Sequence, residues 1–181
     1  FVKRIRQRSQ IPIALMTYYN PVFHYGEERF ALKAKACGVD GLIVPDLPPE
    51  EGHGLIRAAR KNGLVTVFFL APTTTPKRMK HIVNASTGFI YYVSLTGVTG
   101  ARQKFPRTIT GQVKLARKLT HKPICVGFGI STPAQAKMAA KAADGVIVGS
   151  AIVNAIAQNK GKKQLAANVA RFVQKLSRNL S

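Results

Sequence analysis

The stretches "ICVGFGIS" (124–131) and "GVIVGSAI" (145–152) decide the fold. Each is a short apolar run that stops at a glycine and then opens into helical spacing. Working outward, six such runs mark the chain: "IPIALMTYY" (11–19), "GLIVPDL" (41–47), "VTVFFLAP" (65–72), "GFIYYVSL" (88–95), "PICVGFG" (123–129) and "GVIVGSA" (145–151). They are continuous rather than alternating and rich in Val, Ile, Phe and Tyr. Strands covered on both faces of a parallel sheet have this pattern. Between them lie helical patterns with proper ends. "EERFALKAKACG" (27–38) puts Phe30, Ala34 and Cys37 on one face, with Gly38 placed as a C-cap. "TPAQAKMAAKAADG" (132–145) offers Thr132 as N-cap and Pro133 at the first helical position. A last amphipathic helix is expected over 162–178, with Leu165, Val169, Phe172, Val173 and Leu176 inward.

Strand–helix alternation predicts an α/β fold with right-handed crossovers. An open dinucleotide-binding sheet would want G-x-G-x-x-G after its first strand, and that is absent. The glycines cluster instead after the last two strands, where (β/α)₈ barrels commonly bind phosphate. The expectation is therefore a TIM (β/α)₈ barrel with six of its eight βα units in this chain. Residues 1–181 read as a single domain, a partial TIM barrel lacking the first two βα units. "FVKRIRQR" reads as the tail of a basic helix and not as a signal peptide.

The 28 Lys and Arg stand against 7 acids, a net charge of +21. Such a balance suits a nucleic-acid binder. Yet the cations fall singly on outward positions, as in "VKLARKL" and "VARFVQKLSR", without dense runs interleaved with aromatics. A solvated basic face is the expectation, not a nucleic-acid interface. No apolar run reaches the roughly 20 residues of a membrane-spanning helix. Cys37 and Cys125 read as core residues of a cytoplasmic protein in a reducing compartment. The histidines, His24, His53, His81 and His121, have no ligand spacing, and no metal is expected.

In a barrel, chemistry sits where strands give way to loops at the C-terminal face. Those positions hold Tyr18, Asp46, Tyr91, Gly129, Gly149 and Ser150, with Gly100 in the "SLTGVTGA" loop. A phosphate is held well by several backbone N–H groups that no side chain blocks, next to a helix N-terminus. Gly100, Gly129, Gly149 and Ser150 fit that description; tight turns are the alternative use of the glycines. Asp46 is the one acid at a strand end. It serves as a charge-assisted acceptor, as an acid/base group, or simply as a loop cap. Tyr18 and Tyr91 suit the wall of an aromatic ligand. Tyr19 and Tyr92 point the other way and read as packing. The Gly- and Thr-rich loop after the fourth strand suits a cover over a ligand.

In order and spacing, "MTYYNPVFHYGEERF", "GVDGLIVPDLPPEE", "VSLTGVTGAR", "GFGIS" and "GVIVGSAIV" resemble one family, the tryptophan synthase alpha subunit. The resemblance covers about residues 11–158. It implies a lyase that cleaves indole-3-glycerol phosphate to indole and glyceraldehyde 3-phosphate, a retro-aldol step in tryptophan biosynthesis with no cofactor in this chain. By motif, Asp46 orients the indole N–H, and Tyr18, Tyr91, Thr99 and Phe128 contact the indole end or its loop. Gly100, Gly129, Gly149 and Ser150 take the phosphate. The implied partner is the tryptophan synthase beta subunit, which carries pyridoxal phosphate, in an α2β2 assembly. The family's proton-shuttling glutamate and its partner aspartate belong to the first quarter of the family's chain, which this sequence does not contain. The isolated chain is therefore expected to have little lyase activity, and its open sheet edges to favour aggregation or swapping. The competing readings are another phosphate-sugar-binding TIM-barrel enzyme and a non-catalytic basic binding module.

Overall fold

The computed structural model describes residues 1–93, 107–127, 129–178 and 180. They fall into two compact units, Phe1–Leu70 with Thr75–Ile90, and Ala71–Thr74 with Tyr91–Ser181.

The first unit runs α1 (Val2–Arg6), β1 (Ala14–Met16), α2 (Tyr19–Tyr25), α3 (Glu27–Ala36), β2 (Gly41–Ile43), α4 (His53–Lys61), β3 (Val65–Val67), β4 (Phe69–Leu70) and α5 (Pro76–Ala85). β1, β2 and β3 are parallel neighbours in chain order, with Gly41 opposite both Ala14 and Val65. Helices α3 and α4 pack on each other. The core they share joins Val22, Ala31, Leu42, Val44, Leu55 and Ala59. All three residues of β2 are buried, as its unbroken apolar run implies.

The second unit runs from Tyr91 of β5 (Ile90–Val93) through α6 (Arg107–Arg117), β6 (Ile124–Gly127), α7 (Pro133–Ala140), β7 (Gly145–Ile147) and α8 (Ser150–Gln158) to α9 (Leu165–Ser177). β5, β6 and β7 lie side by side in that order. β6 and β7 are parallel, with Cys125 opposite Gly145. Helix α9 packs on α7 and α8.

Each expected strand is present but shorter than its apolar run. The first ends at Met16 rather than Tyr19: the chain leaves the sheet after Thr17 and turns into α2, with Tyr18 as its extended N-cap. The third divides at Phe68, whose N–H donates to Ser86 Oγ at 3.3 Å. The last helix begins at Leu165; of its expected inward residues Leu176 is buried, Leu165, Val169 and Phe172 are half-buried, and Val173 is 38% exposed. Helix ends follow the sequence closely. Thr132 and Gln135 form a reciprocal capping box on α7, with Pro133 at its first position. Gly38 follows the C-cap of α3 at φ +93°, a conformation that glycine takes without strain. Among the described residues no helix is long and apolar enough to cross a membrane.

A feature not visible in the apolar pattern is a clamp that occurs once in each unit. In the first, Asp40, just ahead of β2, accepts the Ile13 N–H at 2.8 Å and pairs with Arg6 of α1. Arg6 also donates to the carbonyls of Gly38 (2.8 Å) and Ile11 (2.6 Å). In the second, Asp144, just ahead of β7, accepts the Ile124 N–H at 2.9 Å and pairs with Arg117 of α6 at 2.9 Å. Even the turns match. Ser9 Oγ accepts the N–H of Ile11, and Thr120 Oγ1 accepts that of Lys122. The two segments, "RQRSQIPI" (6–13) and "RKLTHKPI" (117–124), share Arg, a hydroxyl residue, Pro and Ile in register.

The bond from Ile13 N–H, and then Arg6, hold the Asp40 carboxyl below its ordinary value against an opposing push from burial. A lowered folded-state value gives stability that is full above the unfolded carboxylate value, about 4, and lost as pH falls through the folded one. Asp40→Asn should therefore melt lower than the parent at pH 7, and the gap should close below about pH 4. Thermal melts at both pH values check this; a gap unchanged at low pH would remove the charge from the account.

Candidate functional site

The expected site residues divide between the two units: Tyr18 and Asp46 lie in the first, and Tyr91, Gly129, Gly149 and Ser150 in the second. In the first, β1 and β2 deliver Tyr18 and Asp46 to adjoining loops. The Tyr19 N–H donates to Asp46 Oδ1 at 2.9 Å and to Oδ2 at 3.1 Å. Asp46 thus holds the first turn of α2, so it does act as a cap. Its side chain stays exposed, and among the described residues Tyr19 is its one hydrogen-bond donor. Tyr18 is 70% exposed, its ring available to a ligand rather than to the core. Tyr19 is half-buried and packs against the core of the unit, in line with its expected packing role. Its hydroxyl donates to Glu27 Oε1 at 3.0 Å. Sequence reasoning did not single out Glu27, because a glutamate opening a helix reads as a simple match to the helix dipole.

In the second unit, β5 alternates: Tyr92 is fully buried and Tyr91 half-buried, as their opposite facing requires. The Tyr91 ring lies across Gly127, filling the space that a Cβ there would need. Burial raises the Tyr91 phenol above its usual value, so it remains a neutral hydroxyl at physiological pH. That contact gives a local reason for one glycine of "GFG".

The remaining glycines divide by chemistry. Gly129 sits at φ +54° in the loop after β6. Beyond it, the Ser131 N–H, Ser131 hydroxyl and Thr132 N–H all converge on Gln135 Oε1. Helix α7 therefore satisfies much of its own N-terminus. Among the described residues helix α8 has no side-chain cap; Gly149 is its N-cap at φ −115°, and a Cβ there would meet none of them within 4 Å. Gly149 and Ser150 are both exposed. A glycine needing neither positive φ nor close packing fronts an open helix N-terminus, which is an arrangement for an anion.

Thr99, Gly100, Phe128 and the "GVTGAR" stretch lie outside the described residues. All four histidines are exposed. Cys37 and Cys125 are unpaired and half-buried rather than fully in the core. Burial, helped by Asp144, pushes the Cys125 thiol up, away from thiolate chemistry. Among the described residues no group of three or more His, Cys, Asp or Glu could hold a metal ion.

Parallel strands alternating with helices in each unit are those of an α/β barrel protein, here in part. The chain belongs to the tryptophan synthase alpha chain family, whose model matches residues 1–181. The tryptophan synthase alpha chain of Geotalea daltonii is 49% identical over 162 residues, covering 90% of this chain and 61% of that one. That of Geobacter sulfurreducens is 46% identical over 175 residues, covering 97% and 66%. The chain thus spans less than two thirds of the length of these relatives. A solved structure of the tryptophan synthase α2β2 complex from Pyrococcus furiosus superposes with a TM-score of 0.87 at 40% identity, covering 97% of this chain and 70% of that chain. The alpha subunit alone from the same organism gives 0.84 at 39%, with the same coverage.

Proposed function

We propose that this chain supplies substrate-binding groups for the retro-aldol cleavage of indole-3-glycerol phosphate to indole and glyceraldehyde 3-phosphate. The observation that carries the reading is Asp46, an exposed carboxylate held at a strand end beside Tyr18 in a chain of this family. Cleavage protonates indole C3, removes the proton of the neighbouring glycerol hydroxyl, and breaks the C–C bond between them. Positive charge develops on the indole nitrogen as C3 is protonated. A carboxylate accepting that N–H favours the charged form and fixes the ring plane. Tyr18 supplies an aromatic wall. In the second unit, Gly129, Gly149 and Ser150 take the phosphate, with α8 the main contributor because α7 caps itself. Thr99, Gly100, Phe128 and Tyr91 keep the roles that the family motif gives them. The two proton transfers are assigned to no residue of this chain. The further expectations form part of the same proposal: a cytoplasmic protein, no cofactor of its own, and a pyridoxal-phosphate-bearing beta subunit as partner in an α2β2 assembly. The α2β2 complex of the Pyrococcus furiosus relative supports the last.

The chain has no Trp, so the fluorescence of an indole ligand can be followed without background. Titration with indole-3-propanol phosphate, which lacks the reacting hydroxyls, should show saturable binding that inorganic phosphate competes away. Gly149→Ala adds a methyl where no described residue lies within 4 Å. It should weaken that binding about tenfold or more if one phosphate contact is lost. Unchanged affinity would remove α8 from the phosphate site, and no binding by the parent would sink the proposal.

A further inference from the structure

We infer that the end of the second unit where its strands begin is a docking surface for the phosphate backbone of a nucleic-acid duplex, met by Lys118, Lys141, Lys160, Lys162 and Lys163.

The sequence spreads these lysines over three segments, and the fold collects them. β6 and β7 are parallel neighbours, so their first residues lie at one end of the sheet. Helices α6 and α7 lead into those strands, and both finish at that end. Lys118 follows the last residue of α6, and Lys141 is the C-cap of α7. Helix α8 leaves β7 at the other end and runs back, so the turn joining it to α9 brings Lys160, Lys162 and Lys163 to the same place. That turn is held in shape. The N–H groups of Lys160 and Lys162 donate to the carbonyls of Ala157 (3.2 Å) and Asn159 (3.1 Å), and Gly161 takes φ +80°. The Asn168 side chain of α9 donates to that of Asn159 at 2.8 Å. Gly129, Gly149 and Ser150 follow strand ends and lie at the opposite end of this sheet.

All five lysines are exposed, and among the described residues none is paired with an acid. The sequence of the second unit holds one acid, Asp144, and Arg117 pairs with it. A helix C-terminus favours a cation, which accounts for Lys118 and Lys141. It does not account for Lys162 and Lys163. They stand just ahead of α9, whose first turn has no acid, so the helix dipole and the neighbouring lysines both oppose them. A shared anion offsets that repulsion. Helices packed side by side lie about 8–10 Å apart, so three ends spread the lysines over about 20 Å. A single phosphate reaches one end, whereas a duplex, with one charge per about 1.7 Å of its axis, spans them all. The three segments have no Phe or Tyr on which bases could stack, so the contact is to the backbone and independent of base sequence. Of the exposed large apolar residues only Leu119 falls in them, which favours a phosphate backbone over lipid, where apolar insertion carries binding.

Anisotropy of a labelled DNA duplex of about 20 base pairs should show binding that weakens about 10²–10³-fold between about 50 and 200 mM salt, as about five phosphate contacts require. Lys118→Gln, Lys141→Gln, Lys160→Gln and Lys163→Gln together should weaken it about 30-fold or more and make the logarithmic salt slope shallower by about 3–4. Lys3→Gln, Arg57→Gln, Lys77→Gln and Lys80→Gln, also exposed, remove the same charge from the first unit and should weaken binding by less than about threefold. Exposed changes of this kind leave the fold standing. Equal losses in the two variants would mean that net charge alone drives binding, and that result overturns the inference. So does a parent that ignores the duplex at about 50 mM salt, or one that prefers phosphatidylserine vesicles to it. Gly149→Ala should bind the duplex as the parent does; a loss there would put the DNA at the candidate phosphate site and overturn the inference as well.

Discussion

Asp46→Ala is expected to weaken binding of indole-3-propanol phosphate by about 10- to 100-fold, the range for a hydrogen bond to a charged group. Affinity for inorganic phosphate should not change. Two effects are folded into the alanine variant, since it also frees the Tyr19 N–H that Asp46 holds. Asp46→Asn separates them. Asparagine can still accept from Tyr19 through its carbonyl oxygen, so α2 stays anchored, but it presents a neutral group and an N–H₂ donor. A donor facing an indole N–H is repulsive. The asparagine variant should therefore lose nearly as much indole affinity as alanine, while the Tyr19 amide remains as protected from exchange as in the parent. If Asp46→Asn binds like the parent, the carboxylate is only a cap on α2, and the assignment of the indole end fails.

Among stability changes, Ile124→Ala should be one of the most damaging. Ile124 opens β6 between β5 and β7, and it is fully buried, as is Val126 on the same face. Truncating such a residue removes its transfer free energy and leaves a cavity that a fixed sheet cannot close, at a cost of about 2–5 kcal/mol. For a chain of this length that is a fall of about 5–20 °C in the melting midpoint. Ile11→Ala is the matched control: Ile11 is 63% exposed, and its loss should cost within about 0.5 kcal/mol. Calorimetric melts of the two variants separate burial from composition. Equal midpoints would mean that β6 is not a core strand.

The apolar runs made the strands legible; the full burial they imply is met by β2 but not by β1, whose Met16 is 61% exposed, nor by β7, which is half-buried throughout. Helix ends were legible where they depend on local chemistry, as at Thr132, Pro133 and Gly38. What escaped was decided through space. Nothing in "MTYYNP" announces that the strand stops at Met16 and a helix starts at Tyr19; the deciding bond comes from Asp46, 27 residues later. In the same way nothing near Gly127 in the sequence shows that the Tyr91 ring, from another strand, lies across it. Of the candidate site, Tyr18 and Asp46 are placed together as their strand ends implied. The contact of Glu27 with the Tyr19 hydroxyl and with Gly54 was invisible because each residue looks ordinary in its own helix.

The paired clamps at Asp40 and Asp144 bear on how the chain finds its register. A parallel strand can slide past its neighbour by a residue unless something fixes its start, and a slip turns every side chain over. Each aspartate fixes one start: its carboxylate bonds an N–H at the head of the strand alongside, Ile13 one residue before β1 or Ile124 opening β6, and an arginine from the helix before it. The ring closed by Arg6 and Asp40 spans 34 residues, that by Arg117 and Asp144 spans 27. Closing the larger costs only about 0.2 kcal/mol more in chain entropy. Both are local closures by the standard of a parallel sheet, so each strand pair can lock its alignment during folding without waiting for the other.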